Sequence, residues 1–328
     1  MSAPLLEARQ LRRHFPVPGR LFRPSTQTVK AVDGVDLHVA RSETLGLVGE
    51  SGCGKSTLGR MLVRLDRPTA GELFFEGENI GDLDETALKP VRRKVQMVFQ
   101  NPYASLNPRQ TLGDTICEPL VVHRVGTPES RRKRALELLD IVGLQPEHYA
   151  RYPHQLSGGQ RQRIGIARAL ALEPRLIVCD EPVSALDVSI QSQILNLLTD
   201  LQGRFGLSYV FISHDLRVVE HIADRVAVMY LGRIVEEAPV ATLFARPLHP
   251  YTQALISAIP LADPARPTPE VILEGGVPNP IDPPRGCHFH PRCPLAEDRC
   301  RVETPDLVGT QEHKVRCWVV NRELASSS

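Results

Sequence analysis

The chain has 328 residues, 42% of them hydrophobic, and its 39 basic and 38 acidic residues give a formal net charge of +1. This balance argues against general nucleic-acid binding, which favours a basic excess or a basic stripe. No apolar run approaches the roughly 18 residues that a spanning helix needs, and the first residues lack the pattern of a secretory signal, so we expect a cytoplasmic protein.

The first 48 residues predict two strands joined by a loop. Residues 5–15 alternate loosely, residues 16–28 are rich in Pro, Gly, Arg, Ser and Thr, and residues 29–39 return to a strand pattern. Phe15 is the last apolar residue before the loop. It is either a core residue or an aromatic face for an adenine ring, and the usual burial of aromatic residues favours the core.

A glycine-rich loop follows the apolar run 44–48. Its residues are Gly49, Glu50, Ser51, Gly52, Cys53, Gly54, Lys55, Ser56 and Thr57. A helical pattern starts directly behind it, and strand, glycine loop and helix form the context in which G-x-x-x-x-G-K-[ST] cradles phosphates. Backbone N–H groups and the helix N-terminus attract the anion. We expect Lys55 to reach the β- and γ-phosphates and the Ser56 hydroxyl to ligate Mg²⁺.

The next candidate is Gln100, at the end of a predicted strand over 95–99 and before a series of turn signals. Its amide oxygen could ligate Mg²⁺ or orient a water molecule, although by itself it would be an ordinary loop residue. An amphipathic helix is predicted over 129–142. The basic run 131–134 is interpreted as a solvated face of that helix.

A second anion site is predicted at Ser157, Gly158, Gly159 and Gln160, directly before a helix over 161–172. Ser157 is a good N-cap, and the two glycines leave backbone N–H groups accessible at the helix N-terminus. A simple kinase does not need a second phosphate site. The hypothesis that fits is a loop that serves the nucleotide of another subunit.

Two acids, Asp180 and Glu181, end an apolar run that is typical of a central parallel strand. Asp180 could hold Mg²⁺ through a water molecule, and Glu181 is then placed to polarise the attacking water as general base. Asp187 follows in a short turn. His214 comes directly after another buried strand, 209–212, where it could contact a γ-phosphate or the lytic water.

Together these motifs resemble the ATP-binding subunits of ABC transporters over about residues 5–240. Leu-Ser-Gly-Gly-Gln at 156–160 is the most specific of them. The resemblance implies an α/β phosphate-loop ATPase domain over 1–240, with a mixed sheet core, an antiparallel β edge subdomain and a helical subdomain at about 101–170. Residues 241–328 then form a small, irregular, cysteine-containing extension.

The same resemblance implies ATP and Mg²⁺ as cofactors and two ATP molecules sandwiched in a head-to-tail dimer. Glu181 and His214 would be the catalytic residues, and residues 157–160 would contact the ATP that the other chain binds. By position, Phe15 resembles the adenine-stacking aromatic residue and Asp187 a residue of the dimer loop.

Within this family, residues 101–109 and 249–252 resemble the dipeptide/oligopeptide importer branch and its second, F-type partner. This implies an ATPase that powers peptide import at the cytoplasmic face of the cell membrane. Its partners would be two membrane permease subunits, a second ATP-binding subunit and, indirectly, an external solute-binding protein. Importers of nickel or glutathione share these features. A soluble ABC ATPase is less favoured, because the chain has one phosphate loop and no sustained heptads.

Residues 241–328 are predicted to be Pro-rich and irregular, with one short helix at 251–259 and little core of their own. They contain four of the seven cysteines, namely Cys287, Cys293, Cys300 and Cys317. The spacing is a poor match to zinc sites, and it leaves an iron–sulfur cluster, zinc or reduced thiols open. The resemblance implies a four-iron, four-sulfur cluster at these cysteines.

Overall fold

Two β-sheets carry the fold in a computed structural model that describes residues 3–17, 27–101, 105–259, 273, 275–310 and 312–326. The segment 101–109 thus lies partly outside the described residues. The strands are β1 (Leu6–Pro16), β2 (Thr28–Val39), β3 (Thr44–Val48), β4 (Ala70–Phe75), β5 (Glu78–Asn79), β6 (Val95–Val98), β7 (Leu176–Asp180), β8 (Ser208–Ser213), β9 (Arg225–Tyr230), β10 (Arg233–Pro239), β11 (Val308–Gly309) and β12 (Lys314–Val315).

Helices cover both sides of the larger sheet and connect its strands. They are α1 (Lys55–Leu62), α2 (Glu85–Lys94), α3 (Leu112–Val122), α4 (Pro128–Ile141), α5 (Gly158–Leu170), α6 (Val188–Phe205), α7 (Leu216–Ile222), α8 (Val240–Ala245), α9 (Pro250–Ser257), α10 (Asp298–Val302) and α11 (Trp318–Ser326). Short 3₁₀ turns cover Pro146–Ala150, Pro153–Gln155 and His290–Arg292.

The larger sheet has the order β11-β12-β10-β9-β3-β8-β7-β6. The five neighbouring strands β9, β3, β8, β7 and β6 pair in parallel. The pairs β9–β10, β10–β12 and β12–β11 are antiparallel. Every residue of β3, β7 and β8 is buried, as expected of apolar runs covered on both faces. The carboxyl ends of these parallel strands meet at one edge of the sheet, where the segments that follow them come together.

The smaller sheet is antiparallel and has the order β2-β1-β4-β5. It packs with α1 over one face of the larger sheet, and a second apolar cluster lies among the larger sheet and helices α3 to α7. The mixed sheet, the antiparallel edge sheet and the helical region confirm the predicted fold class. Phe15 of β1 lies opposite Val29 and is half-buried, so it is not the core residue that its type favours.

The C-terminal extension contributes more to the packing than its composition predicts. The hairpin β11–β12 pairs with β10 and extends the larger sheet. Tyr251 of α9 and Phe289 are fully buried against Tyr230, with ring centroids 4.7 and 5.2 Å from the Tyr230 ring. A small apolar cluster of its own joins β12 to α11. The predicted boundary near residue 240 falls between β10 and α8.

Candidate active site

The glycine loop connects β3 to α1 and curls back over the carboxyl end of the sheet. Gly49 and Gly54 have positive φ angles of 149° and 109°. A Cβ atom would overlap the carbonyl oxygen of Met229 at Gly49 and that of Ala31 at Gly54. Only glycine meets both requirements, since the loop needs the left-handed backbone and the close approach at the same positions.

Lys55 is the first residue of α1, and its ammonium group lies inside the loop. Nζ donates to the carbonyl oxygens of Gly49 and Glu50 at 2.7 and 2.9 Å. The side chain is almost fully buried. A buried cation held by two carbonyl oxygens at a helix N-terminus provides a ready partner for an anion.

Ser56 and Asp180 bring the loop and the sheet together. The Ser56 hydroxyl donates to Asp180 Oδ1 at 2.9 Å, and Asp180 is the last residue of β7. Burial raises the pKa of Asp180, and the neighbouring Glu181 charge raises it further, while the bond from Ser56 lowers it. A carboxylate in this environment gains from a cation beside it.

Glu181 has its carboxylate between two partners from neighbouring strands. Gln100 Nε2 donates to Glu181 Oε2 at 2.8 Å, and His214 Nδ1 lies 3.2 Å from Oε1. The Glu181 backbone is left-handed, with a φ of 45°, and its N–H donates to the Ile212 carbonyl of β8 at 3.0 Å. The arrangement fixes a carboxylate at the sheet edge beside the loop.

A pocket of about 200 Å³ opens between the loop, the sheet edge and β2. The predicted residues Ser51 to Thr57, Gln100 and Glu181 line it, together with residues that the sequence did not single out. These are Val29, Lys30, Ala31, Leu231, Gly232 and Pro280. Phe15 stands opposite the pocket residue Val29 on the neighbouring strand, and the guanidinium group of Arg13 covers its ring at 4.5 Å.

The residues predicted to contact a second nucleotide lie elsewhere in the chain. Ser157 is the exposed N-cap of α5, where Gln160 N–H donates to its hydroxyl at 3.3 Å and the Gln160 side chain accepts the Ser157 N–H at 3.0 Å. Gly158 and Gly159 pack against Leu186 and Ile190. None of the four lines the pocket in the part of the chain that the structure describes.

Asp187 is the N-cap of α6. Its Oδ1 accepts the Ile190 N–H at 3.0 Å and the Ser189 hydroxyl at 2.8 Å, and the backbone bond above all lowers the pKa of Asp187. This capping gives Asp187 a structural role within the chain. Its place in a dimer loop stays a prediction.

The oxygen donors around the loop suit Mg²⁺, a hard cation that prefers carboxylate, hydroxyl and amide oxygens. Ser56 and Asp180 are already joined, and Gln100 lies beside Glu181 on the same edge. The raised pKa of Asp180 indicates a carboxylate that a cation would stabilise. These three residues are the ones that would hold Mg²⁺ according to the sequence, and this role stays a prediction.

The strand–loop–helix cradle on a parallel sheet defines a phosphate-loop nucleotide-binding protein. Residues 32–184 match the family "ABC transporter", and residues 235–300 match "Oligopeptide/dipeptide transporter, C-terminal region". A probable peptide ABC transporter ATP-binding protein of Sinorhizobium fredii is 57% identical over 97% of this chain and 91% of its own length. A dipeptide transport ATP-binding protein of Escherichia coli is 50% identical over 98% and 96%.

Solved structures agree with this assignment. A dimeric ATP-binding cassette in a post-hydrolysis state with ADP and Pi is 32% identical, covers 72% of this chain and 98% of its own, and has a TM-score of 0.64. A protein of Clostridium perfringens that is part of an ABC transporter complex is 26% identical, covers 75% and 92%, and has a TM-score of 0.63. The chain belongs to the ATP-binding subunits of ABC transporters, with a C-terminal region of the oligopeptide/dipeptide transporter type.

The prediction of an iron–sulfur cluster is wrong. Cys287, Cys293, Cys300 and Cys317 are free thiols, and burial raises the pKa of Cys293 to about 12. Among the residues that the structure describes, no group of three or more His, Cys, Asp or Glu side chains could hold a metal ion. The matched families and relatives are described by ATP binding and peptide transport. Cys300 and Cys317 are buried, and buried cysteines of this kind are typically structural.

Proposed function

We propose that this chain is the ATP-hydrolysing subunit of an importer for di- or oligopeptides. The observation that carries the proposal is the Glu181 carboxylate, held by Gln100 and His214 at the edge of a pocket that also contains Lys55 and Ser56. The matched C-terminal region and the peptide-transport relatives support the substrate class.

Different residues around the pocket carry out the separate steps of ATP hydrolysis. Loop N–H groups and Lys55 bind the β- and γ-phosphates and orient the γ-phosphoryl group for in-line attack. Glu181 accepts a proton from the attacking water. The water oxygen bonds to the γ-phosphorus while the bond between the γ-phosphorus and the ADP oxygen breaks. His214 and Gln100 orient the Glu181 carboxylate. Mg²⁺, held by Ser56, Asp180 and Gln100, would supply charge neutralisation at the phosphate oxygens.

The second half of each nucleotide site comes from another chain. Ser157 is exposed, and among the described residues none of 157–160 lines the pocket of its own chain, which supports a head-to-tail dimer with ATP between the two subunits. A loop that donates N–H groups at a helix N-terminus suits the γ-phosphate of the partner's ATP. The partner is a sister ATP-binding subunit.

A groove of about 320 Å³ offers a place for the permease subunits. It lies between β6 and α3, and Val63, Phe99, Val122, Glu118 and Arg168 are among its lining residues. Val122 is 70% exposed and lines the groove beside the charged side chains of Glu118 and Arg168. Because β6 runs directly to Gln100, a partner in this groove touches the strand that ends at the active site.

In the described part of the chain, every helix is too short or too polar to cross a membrane. In the proposed transporter, the permease subunits hold this chain at the cytoplasmic face of the membrane, and the external binding protein acts through them.

Reconstitution tests the proposal. Two permeases, this chain and its sister subunit in liposomes should take up a labelled dipeptide when ATP is present on the side of the ATPases. Replacing this chain by its Glu181→Gln variant should abolish that uptake. Uptake that does not depend on ATP, or uptake of Ni²⁺ or glutathione in place of the dipeptide, would contradict the proposed substrate or the proposed energy source.

A further inference from the structure

Two residues of the C-terminal extension, Arg292 and Tyr251, bond to the same residue of the phosphate loop, Glu50. Arg292 donates from Nη1 to Glu50 Oε2 at 2.9 Å and from Nη2 to Oε1 at 3.2 Å, a two-pronged ion pair. The backbone N–H of Glu50 donates to the Tyr251 hydroxyl at 2.8 Å. Side chain and backbone of one loop residue are thus held by residues 242 and 201 positions further along the chain.

The ion pair lies in a packed environment. The side chains of Arg292 and Glu50 are 8% and 27% exposed, and the guanidinium group lies 6.0 Å from the centre of the Tyr230 ring. Tyr230 in turn packs against Tyr251 and Phe289. Removal of one partner of a pair in such surroundings leaves the other charge uncompensated. The bonds to Glu50 raise the pKa of Arg292, which keeps the guanidinium group charged.

The charge of Glu50 acts on the interior of the loop. The Glu50 carboxylate and the Lys55 ammonium both exert a Coulombic influence on the Cys53 thiol, which lies between them in the loop. Lys55 also donates to the Glu50 carbonyl oxygen. Without a cation beside it, the Glu50 carboxylate would repel the phosphates of a nucleotide and compete with them for Lys55 and the loop N–H groups.

We propose that Arg292 is a positioning residue for the ATPase reaction: it neutralises Glu50 and holds it on the outer side of the phosphate loop. The extension is thereby a functional part of the nucleotide site. This inference rests on the nucleotide site proposed above. It assigns to the extension a role in ATP affinity, in addition to any role in transporter assembly.

A charge-deletion cycle tests this role by isothermal titration of the full chain with MgATP. The variants are Arg292→Gln, Glu50→Gln and the double variant. Arg292→Gln should raise the Kd for ATP about tenfold, as expected for one uncompensated charge near the phosphates. The double variant should return to within about twofold of wild type, because it contains no carboxylate to neutralise. The defect of Arg292→Gln should shrink at about 1 M salt, where screening is strong.

The matched control is Arg299→Gln. Arg299 lies in the same extension, pairs with Glu303 and stacks on Trp318, and has no contact with the loop among its described interactions. Its loss should leave the Kd unchanged. Arg292→Lys keeps the charge but not the two-pronged geometry, so it should raise the Kd less than Arg292→Gln does. If Arg292→Gln folds poorly, the Kd of the Arg292→Lys variant still tests the role of Arg292.

If wild-type protein binds ATP, two results would overturn the role of Arg292 without affecting the proposed nucleotide site. One is an Arg292→Gln variant with an unchanged Kd for ATP, and the other is a double variant that binds ATP as weakly as Arg292→Gln. The second result would mean that Arg292 acts only by securing the extension. Wild-type protein that binds no ATP would instead refute the nucleotide site itself, and both proposals with it.

Discussion

Glu181 and His214 meet at the carboxyl edge of the sheet, with His214 Nδ1 3.2 Å from Glu181 Oε1. They follow neighbouring parallel strands, in which Asp180 pairs with Ile212. The backbone N–H of Glu181 also donates to the Ile212 carbonyl, which joins the ends of the two strands. The strand register therefore sets the distance between the two side chains before any nucleotide binds.

Glu181→Gln should bind MgATP about as well as wild type, because the phosphate cradle remains. It should hydrolyse MgATP about 1,000-fold more slowly, because a general base typically accelerates a reaction by about 10²- to 10⁴-fold and this base is lost. The measurement is phosphate release under single-turnover conditions, beside a direct binding titration. Near wild-type turnover would exclude Glu181 as the general base.

His214→Ala should lower kcat by about 100-fold with little change in KM, because His214 orients the Glu181 carboxylate but lies outside the phosphate loop. The matched control is His221→Ala, since His221 is an exposed histidine of α7 near the same strand. It should keep the wild-type kcat. A higher KM with an unchanged kcat would assign His214 to nucleotide binding instead.

Ser157→Arg should block ATP-dependent dimerisation with the sister subunit without preventing ATP binding to this chain, because the long cationic side chain would occupy the contact with the partner's γ-phosphate. The control is Thr127→Arg, which removes another exposed N-cap with the same reciprocal bonding. Both substitutions cost about 1 kcal/mol of capping energy. If both variants dimerise alike in analytical ultracentrifugation with ATP, Ser157 does not contribute to the interface.

Val122→Asp should uncouple ATP hydrolysis from transport. A carboxylate in the groove opposes an apolar contact with the permease but leaves the nucleotide pocket unchanged, so the assembled transporter should lose most of its uptake. Val302→Asp is the control, because Val302 is 73% exposed on the extension and distant in sequence from the groove. Equal uptake by the two variants, measured in the same liposomes, would rule out the groove as the docking site.

The elements that the sequence predicts well are those with a local signature. Apolar runs such as 44–48 become strands because both faces are covered, and parallel pairing then brings Gln100, Asp180 and His214 to one edge. The contact between Glu50 and Arg292 has no such signature, since neither residue has a pattern that refers to the other. Phe15 is half-buried on β1 opposite the pocket residue Val29, and its residue type alone could not reveal this position.

The last prediction concerns the stability of the extension in acid. His249 caps α9 by accepting the Tyr251 backbone N–H at Nδ1, 3.1 Å away, and the backbone N–H of His249 donates to the buried Glu236 carboxylate at 2.8 Å. Burial lowers the pKa of His249 from 6.5 to about 4, although the Glu236 charge opposes this shift. Between these two values the unfolded chain binds a proton that the folded chain does not.

Stability from this site should therefore be fully present above about pH 6.5 and fall as the pH decreases toward 4, by up to about 3 kcal/mol. His249→Asn retains a capping side chain but cannot titrate. In urea unfolding series from about pH 7 to pH 4.5, wild type should lose stability more steeply than the variant, and the difference between them isolates His249 from the carboxylates that titrate in both. Parallel curves would mean that His249 does not remain neutral in the folded protein.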